Sequence, residues 1–505
     1  MCGIICGVTT TIIGVVLVVV STVLTFVFVP GVIEDLIINE VVLLDDTEQM
    51  ERFQEIPFPL NFTVRFFNIS NRDEVLAGGV PDLIEVGPYV YKSYQSRVVE
   101  SKEDDTISYR ALERLEFDAE SSYPYTEDDI VTIVNVPYHL ILQVAEKSFP
   151  NLMSIINSAI TGVFGRYNSP ITDVRVRDLL LDGIKFCENP GLIAGIVCTQ
   201  IRSIGATSNN LVVQDDGSII FALLTSRIQP SSLYKVHRGI NNPEDLGRTI
   251  SLNGSSQFHY WIDEEEGKPS VCNMINGTDA SIYNPFVDNT KSLFGINTDI
   301  CRSVELRYQH DTDYEGIPAY RFSANEWFLD NDDGCFCLNA TSGITREDGC
   351  LLRGAAELYS CVGGPMVLSY PHFLYADPIY ANGVKGLNPS IEDHRILLDL
   401  EPKTGTVLRG AKRAQFNIFL RPITSVTATA NFNNTLTPIV WLQESVLLPE
   451  EFVNQLKDRM LMPLNLVSIL LPIVIALCCV VVVVGVVIFV RAKLRNKSPT
   501  ITNTR

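Results

Sequence analysis

The sequence predicts an α+β protein: a large, mainly antiparallel β domain with a helical insertion, flanked by two transmembrane helices. Three observations predict it. Long uncharged apolar runs stand at both ends of the chain. Short alternating segments separated by Gly, Pro and Asx turns fill the middle. One charge-free stretch within that middle repeats its apolar residues with a helical period.

The end segments come first. Ile4 to Val29 and Leu464 to Val490 contain no charged residue and are rich in Val, Ile and Leu. A bilayer core needs roughly 20 apolar helical residues, and both runs reach that length. The first run is not shaped like a signal peptide. No Lys or Arg precedes it, and it exceeds the roughly 7–15 residues of an h-region. It therefore reads as an uncleaved anchor. After Val490 come Arg491, Lys493, Arg495, Lys497 and Arg505 with no acid among them. Basic residues beside a span favour the cytoplasmic side. The expected layout is a cytoplasmic stub (1–3), a span (4–29), an outside domain (30–463), a second span (464–490) and a basic cytoplasmic tail (491–505).

The chain has 505 residues, 46% of them hydrophobic, which suffices for a large core. The net charge of −20 excludes nucleic acid as a natural partner. All 59 acidic residues lie between the spans. That makes a well-hydrated surface, and at longer range it disfavours strongly anionic ligands.

Eight cysteines lie outside: Cys187, Cys198, Cys272, Cys301, Cys335, Cys337, Cys350 and Cys361. The number is even, as a disulfide set in an oxidising compartment requires. Zinc is disfavoured, because Cys335 and Cys337 are separated by one residue and no second close pair sits nearby. Six N-glycosylation sequons lie between the spans, at Asn61, Asn68, Asn253, Asn276, Asn339 and Asn433. A seventh, Asn496, falls in the cytoplasmic tail and is expected to stay unused. Cys2, Cys6, Cys478 and Cys479 lie in or beside the spans. They are either S-palmitoylation candidates or small buried hydrophobes.

Within the outside domain, Leu60, Phe62, Val64 and Phe66 alternate with Asn61, Thr63 and Arg65, the pattern of a half-buried strand. Val90 to Val99 and Ser218 to Leu224 read similarly, the latter after the turn sequence Asp215-Asp216-Gly217. Such short strands favour an antiparallel sheet or barrel. The exception is Asn151 to Gly165. There Leu152, Ile155, Ile156, Ala159, Ile160 and Val163 fall on one helical face, with Asn151 as N-cap. A shorter helix, Leu140 to Phe149, precedes it and ends at Pro150. Val174 to Leu181 is read as a helical continuation, giving a helical segment over about 139–183. The apolar stripe is either core packing or a mobile surface that admits apolar ligands.

No enzyme signature occurs: no nucleophile elbow, zincin, P-loop or dinucleotide fingerprint. The six histidines are scattered without ligand spacing. We expect no enzyme, no metal and no cofactor.

Several ordered blocks resemble the class B scavenger receptor and lysosomal integral membrane protein family. They are Phe66 to Asn71, Glu85 to Tyr91, Cys272 to Asp279, Ile300 to Ser303, Gly316 to Phe322, Cys335 to Cys337, Tyr370 to Pro378, Gly386 to Pro389, His394-Arg395, Leu400 to Gly405 and Pro438 to Leu442. The resemblance covers nearly the whole chain. It implies a β-barrel-like ectodomain topped by a helical bundle, with a hydrophobic tunnel leading from that apex toward the membrane. It also implies binding of fatty acid, sterol, phospholipid or lipoprotein-like particles, with a protein ligand at the apex as a further partner. An apolar conduit spares a lipid tail about 0.8 kcal/mol per methylene. By position, the resemblance implies the disulfides Cys272–Cys335, Cys301–Cys361 and Cys337–Cys350. Cys187 and Cys198 fall outside that set and are expected to pair with each other. Lys147, Leu152, Ile156, Phe164 and Arg166 are the expected residues where lipid enters, the two cations meeting a carboxylate or phosphate. The leading function is lipid uptake at the plasma membrane. A lysosomal sorting receptor and an adhesion receptor are the alternatives, the former disfavoured by a tail without dileucine or tyrosine signals.

Overall fold

The computed structural model describes residues 2–205, 210–263, 268, 270–332 and 334–495. The chain divides into two compact units, one formed by the two terminal segments and the other by Val42–Leu447.

In the terminal unit, the helices Cys2–Val23 and Met462–Arg495 pack against each other. Continuous helical segments of 39 residues (Gly3–Val41) and 46 residues (Glu450–Arg495) are long and apolar enough to cross a bilayer. Each contains one π-turn, Leu24–Phe28 or Lys457–Leu461, and each π-turn is followed within two residues by a proline, Pro30 or Pro463. A proline ring clashes with the carbonyl four residues back. That carbonyl falls inside the π-turn in both cases, so the wider turn accommodates it. Hydroxyls inside the helices return to the backbone: Thr9 donates to the Ile5 carbonyl and Thr11 to that of Gly7. Such local bonding suits a medium without water. Glycines set the helix separation. A Cβ on Gly7 would lie 2.5 Å from the Phe489 nitrogen, and one on Gly485 would lie 2.6 Å from that of Thr11. Small residues of this kind let helix backbones approach closely.

The other unit is built on strands β1 (Leu60–Ile69), β2 (Leu83–Lys102), β3 (Thr106–Phe117), β4 (Ile130–Val134), β5 (Ile171–Arg175), β6 (Ile184–Phe186), β7 (Leu211–Val213), β8 (Ile219–Phe221), β9 (Tyr234–His237), β10 (Thr249–Leu252), β11 (Leu293–Asn297), β12 (Arg302–Tyr314), β13 (Ile317–Ala324), β14 (Ala355–Glu357), β15 (Val367–Ser369), β16 (Ile396–Leu400), β17 (Val407–Leu420) and β18 (Thr435–Leu447). The main sheet runs β10-β9-β3-β2-β1-β18-β17-β16-β13-β12-β11, and β14 and β15 join it through β17. Its neighbours are antiparallel; Phe62, for example, stands opposite both Glu444 and Tyr91. The alternation read in β1 is real but incomplete. Phe62, Val64 and Phe66 are buried, and so are Thr63 and Phe67. β1 is a central strand, and β4 packs against it as well, with the Thr132 N–H donating to Asn68 Oδ1 at 2.7 Å.

The sheet does not close into a barrel, since among the described residues no ladder joins its end strands β10 and β11. The segment Gly277–Thr278 lies between them instead. The Thr249 N–H donates to the Gly277 carbonyl (2.9 Å), the Thr278 N–H donates to the Phe294 carbonyl (3.2 Å), and the Ile296 N–H donates to the Thr278 carbonyl (2.8 Å). This seam is held on both sides. The disulfide Cys272–Cys335 fixes the chain before it. After it, the Asp279 carboxylate accepts from Arg97 Nη2 (2.7 Å) and the Tyr109 hydroxyl (2.8 Å). Burial, the largest single influence, would raise the Asp279 pKa, but the Arg97 charge and the hydrogen bonds from Ser281 and Arg97 together outweigh it and hold the carboxyl well below its ordinary range. Gly277 has φ 88°, and a Cβ there would sit 2.0 Å from the Phe294 carbonyl oxygen, so no other residue fits.

Two sequence expectations are corrected. Val174 to Leu181 is not a helical continuation: β5 runs to Arg175 and a π-turn spans Asp178–Asp182. β5 pairs with β4 along its whole length, burying Ile171, Thr172 and Val174 and leaving Asp173 exposed, and that pairing overrides the local apolar spacing. The helical segment therefore does not run on to 183. Ser218 to Leu224 shrinks to the three residues of β8, although the turn at Asp215 to Gly217 does join β7 to β8.

Asp279→Asn would leave the Arg97 guanidinium, whose side chain is 5% exposed, without its charge partner. We expect a loss of about 3–5 kcal/mol, read by chemical denaturation of the full-length protein. In a chain whose Cys2, Cys6, Cys478 and Cys479 are replaced by Ala, Gly3→Cys and Ala492→Cys should crosslink under mild oxidation, because a Cβ on Gly3 lies 3.3 Å from that of Ala492. Adding Gly485→Leu should abolish the crosslink.

Candidate ligand-binding region

Three helices gather at one part of the β domain. Asn135 caps the first, Val136–Ser148, by accepting from the Tyr138 N–H, and Pro137 occupies its first turn. Phe149 and Pro150 end it. The second, Met153–Phe164, stops at Gly165 with φ 54°. Its N-cap position is Leu152 rather than the expected Asn151, because residues 150–152 form a 3-10 turn that shifts the start. The third, Leu192–Gly205, packs against the second so closely that a Cβ on Gly162 would lie 2.8 Å from the Ala194 Cβ. The disulfide Cys187–Cys198 ties this helix to the end of β6. Cys301–Cys361 and Cys337–Cys350 complete the disulfides.

Polar bonds hold the first two helices to neighbouring chain. Gln143 Nε2 donates to the Phe419 carbonyl at 3.1 Å. The Glu146 carboxylate accepts from Arg421 Nη2 and from the Thr424 N–H, both at 2.6 Å. Burial would raise Glu146, but those two donors win and hold its carboxyl below the ordinary value. Asn157 exchanges 3.3 Å bonds with the side chain and the N–H of Thr427. His139 Nε2 faces the Pro170 carbonyl at 3.1 Å.

The structure does not bring the five sequence-predicted residues into one site. Ile156 and Phe164 are buried in the core, Phe164 with its ring 5.1 Å from that of Tyr138 and 5.7 Å from that of Phe186. Leu152 is exposed. Lys147 donates to the Ala340 carbonyl and lies 4.9 Å from the centre of the Tyr359 ring. Arg166 donates to the Tyr167 hydroxyl and stands 3.9 Å from Asp178. The exposed large apolar residues of these helices are instead Leu152 and Ile155 on the second and Leu192, Ile193 and Ile196 within the first turn and a half of the third. Leu192 alone is 87% exposed. Those last three were missed. The available signal was a charge-free run from Leu192 to Ile201 with helical spacing, interrupted by Gly195.

Among the modification candidates, Asn61, Asn253, Asn339 and Asn433 are exposed, while Asn68 and Asn276 are half-buried. Cys478 and Cys479 lie midway along the helix Met462–Arg495. Cys6 is exposed near the other helix's start.

Several blocks of the sequence meet in one polar cluster. The Glu85 carboxylate accepts from His372 Nε2 (2.6 Å) and Trp441 Nε1 (2.9 Å), with Arg65 at 3.6 Å. His372 Nδ1 accepts from the Asn388 N–H, so both ring nitrogens are occupied. Its ring stacks on that of His394, with centroids 4.4 Å apart. Elsewhere Arg227 bridges Glu113, Asp299 and Glu444. Glu401 accepts from Lys403 and Thr404, shaping the Leu400 to Gly405 turn. These are ties between strands and loops. Among the described residues no group of three or more His, Cys, Asp or Glu is placed to hold a metal ion.

A large disulfide-tied β domain between two helices able to span a bilayer defines a two-pass membrane protein. The CD36 family model matches residues 12–489. The chain is similar to sensory neuron membrane protein 2 of Drosophila melanogaster, with 34% identity over 87% of this chain and 89% of that one. It is also similar to sensory neuron membrane protein 2 of Aedes aegypti (32%; 92% and 95%) and sensory neuron membrane protein 1 of Plutella xylostella (32%; 88% and 83%). The chain belongs to the CD36 family, and a receptor role of the scavenger type fits it.

Burial pushes His139 down to about 4, and burial together with the neighbouring His372 does the same to His394. A histidine near its ordinary value of 6.5 when unfolded and about 4 when folded binds its proton preferentially in the unfolded chain. Stability is therefore expected to fall as the pH drops from about 6.5 to about 4, by on the order of 3 kcal/mol for fully buried His139. His139→Gln should flatten the dependence of denaturation midpoint on pH.

Proposed function

We propose that this chain is a cell-surface receptor that captures lipid, free or carried by lipoprotein-like particles, at its helical cluster and passes it to the membrane. The observation that carries the reading is the exposed apolar group Leu192, Ile193 and Ile196 at the start of the third helix, with Leu152 and Ile155 exposed at the start of the second. Isolated apolar residues on a surface are ordinary, but grouped ones mark binding sites for apolar partners. Beneath them lies a continuous apolar core that includes Ile156, Ile160, Val163 and Phe164. A tunnel through the β domain is the route we propose for the lipid. Capture and transfer need no covalent step.

The proposed topology places both termini in the cytoplasm, in keeping with Arg491, Lys493 and Arg495 at the end of the second helix. Four disulfides and the exposed sequons suit an outside domain. The name of the relatives refers to sensory neuron membranes, which supports the plasma membrane as the place of action. Lys147 and Arg166 are bystanders in this proposal, because each already has a protein partner.

Uptake of labelled lipid by cells displaying the full-length protein tests the reading. Leu192→Asp with Ile196→Asp should lower uptake about tenfold or more, given roughly 1.5–3 kcal/mol for each apolar side chain buried against ligand. Val98→Asp, at an exposed apolar position on β2, should leave it unchanged. Equal uptake by all three proteins would sink the proposal.

A further inference from the structure

Of the chain's 18 tyrosines only Tyr123 and Tyr260 are exposed, Tyr123 at 84% and Tyr260 at 39%. Aromatic side chains ordinarily bury their large apolar faces. A ring left almost wholly in water contributes little to the fold and is open to other chemistry.

The local structure projects this ring outward. Asp118 caps the short helix Ala119–Ser122 by accepting from the Ser121 N–H. Ser122 is fully buried and fixes the end of that helix to β2, its hydroxyl oxygen accepting from the Val90 N–H at 2.9 Å. Beyond Tyr123, the Tyr125 N–H donates to the Ser122 carbonyl, and the Tyr125 ring lies 5.5 Å from that of Tyr89. Tyr123 stands between two anchored neighbours, and among the described residues its own hydroxyl and ring have no partner.

Acids frame the exposed phenol. Within five residues on either side stand Asp118, Glu120, Glu127 and Asp128, with no Lys or Arg. Glu120 is exposed and makes no ion pair among the described residues. Asp128 pairs with Arg175, yet its side chain remains 82% exposed. An enzyme that transfers sulfuryl groups from a nucleotide sulfate must hold a polyanionic donor. Its cleft is therefore cationic and complementary to acidic flanks on a substrate. Such enzymes work in the secretory lumen, a compartment that suits a domain with four disulfides and exposed sequons.

We propose that Tyr123 is a site of tyrosine O-sulfation, modified by a secretory-pathway sulfotransferase that recognises Glu120 and Asp128 as flanking charges. The assignment rests on the outside placement of the β domain and is independent of lipid transfer. In the reaction the phenolic oxygen attacks the sulfur of a nucleotide sulfate, forming the new O–S bond. The S–O bond to the donor's phosphate breaks, and its electron pair leaves with the nucleotide. The phenolic proton passes to a base of the transferase, and nothing is oxidised or reduced. The product anion stands in water and carries no burial cost.

The test uses the full-length protein made in cultured animal cells beside a secreted control protein that those cells sulfate on tyrosine. N-glycans are removed enzymatically, and the peptide carrying Tyr123 is read by mass spectrometry. A gain of SO3 that resists phosphatase is expected, and growth in chlorate, which blocks donor synthesis, should abolish it. Tyr123→Phe should lose the sulfate without a change in melting temperature, since the ring packs on nothing. Glu120→Gln with Asp128→Asn should slow sulfation of chlorate-grown protein by added sulfotransferase about tenfold or more. Unmodified Tyr123 in a chain that carries N-glycans would overturn the assignment. So would phosphate in place of sulfate, or sulfate on Tyr260 alone. An unchanged rate in the acid variant would overturn the role of Glu120 and Asp128. A chain without any N-glycan would overturn the outside placement itself.

Discussion

Gly277 and Thr278 supply backbone hydrogen bonds to both end strands of the main sheet, and the β domain depends on their staying in place. A sheet with two free edges exposes unpaired N–H and C=O groups. Here one short segment serves both edges without becoming a strand itself. Its position is determined by the Cys272–Cys335 disulfide on one side and the buried Arg97–Asp279 pair on the other. The glycine between them is the residue type that lets the chain pass against Phe294. Covalent, ionic and steric constraints thus fall within eight residues, which explains why Cys272 to Asp279 forms a recognisable block.

Other blocks have the same character. Glu85, His372, His394 and Trp441 are far apart in sequence and meet in one cluster that joins β2, β18 and the loops around 372 and 394. Glu401 closes its own turn. Arg227 gathers three carboxylates from separate parts of the chain. In each case a buried charge is compensated by partners from distant elements, and removing one partner would strand the others. The blocks that identify the family are therefore mostly those that hold the β domain together.

The helical cluster follows a different rule. Its outer surface sets Leu152, Ile155, Leu192, Ile193 and Ile196 among small polar residues with few charges, and its interior contains polar atoms without protein partners among the described residues. Both features run against ordinary folding economy, and such departures are expected where a surface works on ligands rather than on stability. Gln143, Glu146 and Asn157 tie the cluster to the 419–427 region, and Lys147, His139 and Cys198 tie it to Ala340, Pro170 and Cys187.

The membrane helices were legible in the sequence because apolarity over 20 or more residues is a local property. The β1 alternation, the turn at Asp215 to Gly217 and the helix Met153–Phe164 were legible for the same reason. The β5 region was misread because its apolar spacing fits a helix, while its pairing partner β4 lies more than 35 residues earlier. The helix Leu192–Gly205 went unseen because Gly195 interrupts it and its first turn and a half exposes Leu192, Ile193 and Ile196, so no polar stripe outlined its start. Periodicity named Leu152, Ile155, Ile156, Ala159, Ile160 and Val163 as one apolar stripe, but it could not say that the last four face the core and the first two face solvent. The sequence by itself determined the two spans, the antiparallel β class and the helical insertion. Only the tertiary structure decided which apolar residues remain exposed and which polar atoms are buried without partners, because both depend on what distant segments place beside them.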